Sequence, residues 1–515
     1  MISYSGALLG VLVTAFLYPI LLQPEQFGLT RILISFSTVG SQLASLGLRA
    51  TILRFLPLVE NRDEWHYAFV RLLLLLPFAG FILVSLFLVA GEEWILSLYN
   101  DSPLFSEYFI WVFPMIFYVV YFEILNSLLR ARLDSVTGSV TLEVGLRMYL
   151  ILILTLYGFS WVNFDGFILL FTSGYGITTA VLLWTLAKRG EFKKPEGLYG
   201  PFLRSMKSAI HGLPTRLNRA MIRYSGFTLF SGLAGLMVWN IDVLMLGSYE
   251  GLGLTAVYSI AFYMGSVMII PLRSMERIGT PLIAEYIRKK QWDLVRSIYE
   301  KTSLNAFIIA LFAGVLIWMN LQLFFSFLPD IYARGLWVVF WIGIGQLVNI
   351  AAGLNGSIIA TSRYYRVDLY SILILLGLTV LTNLLLIPEY GVNGAAAATC
   401  LSLLAYNVFK TVYVKIKFGL QPFNRNFWGF FIGFVPLSVG WVLLPVEEWV
   451  TAGQEFPELL LLNADQLQLL LGGGVKSLIF AVVYGAALTF TPFSPDMKMR
   501  IYSILTKLGL RIRMG

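Results

Sequence analysis

The chain has 515 residues, 58% of them hydrophobic and only 13% charged, with a mean hydropathy of +0.78. That balance excludes a soluble globular domain and describes an all-α polytopic membrane protein. The net charge of +8 is no sign of nucleic-acid binding, because the basic residues are dealt out loop by loop between apolar segments.

In chain order, the first bundle, 1–187, holds six apolar segments at about 2–22, 27–48, 68–90, 107–129, 136–157 and 165–187. Each is near the ~20 residues that a bilayer core demands. The first has no positive n-region and no small-residue cleavage site, so it reads as a span and not as a signal peptide. Residues 188–223 then form a basic linker, from Lys188 and Arg189 to Arg223. Within it Phe202, Met206, Ile210, Leu213 and Leu217 recur at helical spacing, which suits a helix lying on the membrane surface. The second bundle, 224–414, repeats the pattern with spans at 224–247, 254–274, 302–328, 335–360, 367–387 and 392–414. Two further spans lie in 415–491, with an acidic connection between them, and a basic tail covers 492–515. The expected architecture is therefore about fourteen transmembrane helices.

Charge fixes the expected orientation. Lys and Arg crowd alternate loops, at 49–62, 130–132, 188–223, 273–301, 363–366, 410–425 and 498–513. The opposite loops hold Glu25, Glu92, Glu93, Asp165, Glu250 and Glu389, and only Arg334 falls clearly on the wrong side. Basic loops stay in the cytoplasm, so both termini are expected inside, in the cytoplasmic membrane. The basic linker and tail would meet anionic lipids there.

An internal repeat supports two bundles of the same orientation. Glu25-Gln26-Phe27-Gly28-Leu29-Thr30, between spans one and two, returns as Glu250-Gly251-Leu252-Gly253-Leu254-Thr255, between spans seven and eight. Parallel repeats about an axis along the membrane normal are a transporter architecture.

Charged residues inside spans carry the chemistry, since each costs roughly 2.5–3.5 kcal/mol at the centre of a helix on insertion scales. Glu143 and Arg147 stand one turn apart on span five, and Arg147 lies roughly 16 Å from its inner end. Glu123, on antiparallel span four, lies at a similar depth, so the three form an expected cluster. Arg31 and Asp242 sit near the outer ends of spans two and seven, and Arg49 and Arg273 at inner ends, where snorkelling also explains them. One cysteine, Cys400, excludes a disulfide framework or a cysteine metal site, and His66 and His211 stand in basic loops. No cofactor, metal or catalytic residue is expected.

The stretch Pro388-Glu389-Tyr390-Gly391-Val392-Asn393-Gly394-Ala395-Ala396-Ala397-Ala398-Thr399 resembles the signature at the start of helix twelve in polysaccharide flippases of the multidrug/oligosaccharidyl-lipid/polysaccharide (MOP) superfamily. Asn240–Gly247, Tyr258-Ser259, Pro281–Ala284 and Leu46-Gly47-Leu48 before Arg54-Phe55 fit that family too. The resemblance covers essentially the whole chain, but residues 1–24 carry no charge, so roles of helix-one charges do not transfer.

The resemblance implies a flippase that carries a polyprenyl-pyrophosphate-linked oligosaccharide to the outer leaflet by alternating access, for cell-surface polysaccharide synthesis. It also implies other polysaccharide-assembly proteins as partners. Arginines would engage the pyrophosphate and sugar, which makes Arg147, Glu143, Glu123, Arg31, Arg49, Arg273 and Asp242 the candidate substrate residues. A cation-coupled drug antiporter of the same superfamily is the alternative, because Glu123, Glu143 and Asp242 could bind its coupling ion. A membrane glycosyl-polymerase is a weaker rival, since the longest external stretch, 445–471, has no Lys, Arg or His. The orientation predicts that cysteines introduced at Ser248 and Thr451 react with an impermeant thiol reagent added to intact cells, whereas ones at Ser205 and Ser503 do not. Labelling at Ser205 with Thr451 protected would invert the topology.

Overall fold

The structure is a computed structural model that describes residues 6, 9–59, 63–100, 102–191, 214–444, 463–491, 493 and 499. Helices dominate, and no strand occurs among the described residues. The surface helix expected around 202–217 lies mostly outside them, as do residues 445–462 and the basic tail beyond 499.

The helices run α1 (Leu9–Leu21), α2 (Pro24–Ala44), α3 (Leu48–Val59), α4 (Asp63–Ala90), α5 (Pro103–Ala131), α6 (Val136–Gly158) and α7 (Phe164–Lys188). They continue as α8 (Thr215–Tyr249), α9 (Gly251–Arg288), α10 (Trp292–Met319), α11 (Asp330–Ala352), α12 (Tyr365–Phe418), α13 (Arg425–Leu443) and α14 (Asp465–Phe490). Eleven described helices are long and apolar enough to cross a membrane, or twelve with α2 and α3, bent by 42°, taken as one span. The sequence expectation was about fourteen. The difference arises because α1 is short and because α12, at 54 residues, joins the segments expected as spans eleven and twelve.

Gly391 divides α12. Its φ of 55° and ψ of −131° fall where a side chain is not tolerated, so the chain turns there. Ala395, Ala396 and Ala398 follow, all fully buried, and the Thr382 hydroxyl lies 3.1 Å from the Ser402 hydroxyl across the turn. Small side chains let the two arms close on each other, as apolar surroundings require.

By compactness the chain forms two units, Met1–Ile260 and Ala261–Gly515. In the first, α8 packs along both α2 and α3. The break between α2 and α3 occurs at Leu46 and Gly47, where φ reaches 50° and 75°. A broken helix frees backbone groups that hydrocarbon cannot satisfy. Here the Gly47 carbonyl accepts from the Thr228 hydroxyl of α8 at 3.0 Å and from Thr51 at 3.2 Å, while Thr51 and Ser225 hydroxyls meet at 2.7 Å. The second unit repairs a break in the same way. Past α11, Gly353 has a φ of 59°, and the Ser303 hydroxyl donates to the Ala351 carbonyl at 2.5 Å.

The two repeated turns meet inside the first unit. Gly28 has no room for a side chain because the Leu252 carbonyl occupies that position, and a Cβ on Gly253 would lie 2.9 Å from Glu25 Oε1.

On the basic-loop side of this unit, Asp134 starts α6. Its Oδ1 accepts from the Val136 and Thr137 amides at 3.1 and 3.0 Å, and its Oδ2 from the Thr137 hydroxyl at 2.7 Å and from Arg189. Burial works against ionisation, but the bonds from Thr137 and Arg189 outweigh it and hold this carboxyl down at about 2. Its contribution to stability is therefore complete above the unfolded carboxylate range and is lost as pH falls toward 2. Close by, Glu191 accepts from Arg132 Nη2 at 3.0 Å and lies 3.4 Å from His66. Asp134→Ala should lower stability by about 1 kcal/mol through loss of the cap, with Asp134→Asn milder, as read by thermal unfolding of the purified protein. Equal losses in the two variants would mean that the ion pair, not the cap, carries the effect.

Candidate functional site

Six of the candidate residues, Arg31, Arg49, Glu123, Glu143, Arg147 and Asp242, belong to helices of the first unit. Local geometry sets the positions of Glu143 and Arg147. Residues Thr141–Gly145 of α6 form a π-helical turn, closed by the Leu146 amide bonding to the Thr141 carbonyl. Such turns shift the register of the side chains that follow and recur at functional sites. Helix α1 carries a second one, Leu12–Leu17, where the Tyr18 amide reaches the Val13 carbonyl.

Helix α1 faces the charged pair with glycines. A Cβ on Gly10 would stand 2.9 Å from the Arg147 guanidinium carbon, and one on Gly6 would stand 2.8 Å from the Glu143 Cβ. Gly6 and Gly10 are four residues apart, as are Glu143 and Arg147, so the spacings of the two pairs match. Both charged side chains are half-buried, and neither makes an ion pair among the described residues.

Arg31 occupies α2 in electrostatic reach of the phenols of Tyr18 and Tyr175. Its Nε is buried without a hydrogen-bond partner, and no carboxylate among the described residues pairs with it. Arg49, at the start of α3, is held differently. It donates to the Ser41 hydroxyl at 3.2 Å and lies 3.9 Å from Glu123, while its own Nε is buried and unpartnered. It also lines a cavity of about 250 Å³ with Gln42, Gly47, Thr228 and Gly232. The sequence had joined Glu123 to Glu143 and Arg147; the ion partner that the structure gives Glu123 is Arg49, brought inward by the break at Leu46-Gly47. Three arginines thus share this unit with Glu123, Glu143 and Asp242.

Asp242 is buried near the C-terminal end of α8 and accepts a 2.7 Å bond from the Tyr258 hydroxyl. Arg273 belongs to the second unit, exposed on α9 beside Glu276.

Sequence reasoning missed the buried cations of the second unit. Lys410 is only 3% exposed, 2.7 Å from Asp368 and 2.6 Å from the Tyr406 hydroxyl. The sequence had counted it with the basic loop 410–425, at the end of the span 392–414, but α12 continues to Phe418 and carries it inside. Lys476 of α14 is equally buried and donates to the Val442 carbonyl of α13 at 3.2 Å. Its position inside an apolar segment was the available signal. The second unit also holds an apolar cavity of about 390 Å³, lined by Met264, Met268, Trp318, Trp337, Phe340 and Val439 among others.

No family model matches the sequence, and no curated protein does. Solved structures do. The fold is similar to that of a multidrug resistance MATE family transporter of the MOP superfamily in its inward-facing conformation, with a TM-score of 0.60 and 14% identity over 80% of this chain and 94% of that one. It is similar to lipid II flippase MurJ in an inward closed conformation, with a TM-score of 0.60 and 14% identity over 95% of this chain and 98% of that one. The fold is thus shared with these two transporters, and identity at this level speaks for fold alone.

The glycine face of α1 generates a direct test. Gly10→Leu should overpack against Arg147 and cost about 1–3 kcal/mol, and Arg147→Ala should recover most of that loss. Additive losses of thermal stability in the double variant would show that the two helices do not meet as described.

Proposed function

We propose that this protein is a flippase that moves a polyprenyl-pyrophosphate-linked oligosaccharide across the cytoplasmic membrane by alternating access, for cell-surface polysaccharide assembly. The observation that carries this reading is that two arginines of the first unit, Arg31 and Arg147, stand there without an ion pair among the described residues. Arg31 and Arg147 have no anionic partner among the described residues, although an unpaired cation in an apolar bundle is costly. An anion supplied by the substrate would offset that cost.

A pyrophosphate fits the requirement. It offers several acceptor oxygens at a geometry that guanidinium groups match in pairs, and it arrives already attached to a membrane lipid. Arg31 and Arg147 would take the phosphates. Glu143 and the Arg49–Glu123 pair would meet sugar hydroxyls, because carboxylates accept from hydroxyls and leave anions to the arginines. The polyprenyl chain would keep to the apolar lipid surroundings of the helices. The fold likeness to lipid II flippase MurJ, which spans 95% of this chain, is in keeping with a lipid-linked substrate.

A cation-coupled antiporter is the second reading. It draws on the equal TM-score to the MATE transporter and on Glu123 and Glu143 as ion-binding carboxylates. An antiporter for cationic drugs would gain nothing from unpaired arginines, so Arg31 and Arg147 favour the flippase.

Arg147→Ala should abolish glycan export while leaving protein abundance in the membrane near normal. Arg147→Lys should rescue only in part, because a point charge replaces a bidentate fork. If Arg147 instead neutralises Glu143, its loss strands a carboxylate at a cost of roughly 3–5 kcal/mol and depletes the protein. Restoration of both abundance and export by Arg147→Ala with Glu143→Ala would refute the substrate role.

A further inference from the structure

The second unit carries a polar pocket of about 430 Å³ where α10 and α13 begin, lined by Asp293, Arg296, Glu300, Lys301, Asn305 and Asn424 among others. Two cations and two carboxylates make its wall neutral overall. It shares no residue with the arginine-rich interior of the first unit.

The wall is built by the start of α13. Asn424 caps that helix, its Oδ1 accepting from the Phe427 amide at 2.9 Å, and this fixes its side chain. The Asn424 amide in turn donates to Glu300 Oε2 at 3.0 Å and holds that carboxylate on α10. Arg296 makes one long contact, 3.5 Å to the Gly419 carbonyl, which leaves most of its five donors available. Asp293 makes no ion pair among the described residues and is exposed.

Beneath this polar wall the lining turns apolar. Leu304 and Phe493 complete the pocket, and Leu304 belongs to a buried cluster with Phe307, Phe427 and Phe430, against which Phe493 packs. Trp292 and Trp428 are 38% and 50% exposed near the same helix starts. Exposed tryptophans of this kind mark the level of the lipid headgroups. The position therefore combines charges of both signs with an aromatic base at headgroup depth.

We propose that this pocket binds the headgroup of a zwitterionic membrane phospholipid that carries a primary ammonium. Arg296 and Lys301 take the phosphate, Asp293 and Glu300 take the ammonium, and the acyl chains run over the Leu304 and Phe493 base. A primary ammonium has N–H donors that carboxylates accept, whereas a quaternary one would call for an aromatic cage. An anionic headgroup such as phosphatidylglycerol brings the same phosphate but no ammonium, which leaves the two carboxylates unanswered beside an added negative charge.

The test uses purified, delipidated full-length protein in detergent and native mass spectrometry. It compares phosphatidylethanolamine, phosphatidylcholine and phosphatidylglycerol with identical acyl chains, and soluble glycerophosphoethanolamine as competitor. Phosphatidylethanolamine should bind about 10-fold tighter than either other lipid, and the soluble compound should compete only weakly. Glu300→Gln and Arg296→Gln should each weaken it by about 10-fold, with an unchanged gel-filtration profile. Equal binding of phosphatidylcholine or phosphatidylglycerol, or wild-type affinity in both variants, would overturn the proposal. Equal competition by the soluble compound would overturn the membrane source of the ligand. Should a variant fail to fold, the lipid series on the unaltered protein decides alone.

Discussion

Unpaired positive charge within an apolar bundle is the constraint on which the first unit turns. Arg31, Arg49 and Arg147 share the unit with Glu123, Glu143 and Asp242, and among the described residues only Arg49 of the three has a carboxylate within 3.9 Å. Stability alone would not favour this arrangement, since an apolar side chain or a matched carboxylate would be cheaper at each place. The surrounding structure is shaped to keep it. Gly6 and Gly10 give up side chains so that α1 can lie against Glu143 and Arg147. Tyr18 and Tyr175 surround Arg31 with phenols, which neighbour a cation without cancelling its charge.

Broken helices raise a second requirement, which both units meet in the same manner. Each break turns at a glycine, Gly47 in one unit and Gly353 in the other, and each has a freed carbonyl answered by a hydroxyl from a neighbouring helix. Thr228 and Ser303 thus let non-helical backbone exist at apolar depth, where water cannot serve. The break at Gly47 also brings Arg49 inward to Ser41 and Glu123. The feature that interrupts the span therefore positions one of its charges.

Much of this architecture was legible in the sequence. Apolar length and alternating loop charge mark the helices, and the Gly391–Thr399 run marks the sharp turn and the alanine packing that follows it. What escaped depended on partners distant in sequence. Glu123 pairs with Arg49 because of a bend that no periodicity announces. Lys410 was counted with a basic loop because helix ends are poorly marked in sequence; α12 runs on to Phe418 and Asp368 receives it. The glycines of α1 looked like ordinary small residues until Glu143 and Arg147 were seen opposite them. Fold followed from composition and pattern, while the site required knowing which faces meet.

The most direct measurement is transport by the purified protein in sealed liposomes. A fluorescent polyprenyl-pyrophosphate-linked sugar is placed in both leaflets, and its exposure to an impermeant quencher is followed with time. Faster exposure than in protein-free liposomes, lost with Arg31→Ala and Arg147→Ala but retained with Arg273→Ala, is the result expected of a flippase whose unpaired arginines hold the pyrophosphate. Unaltered exposure of the lipid-linked sugar, together with ion-driven uptake of a cationic drug by the same liposomes, would contradict it.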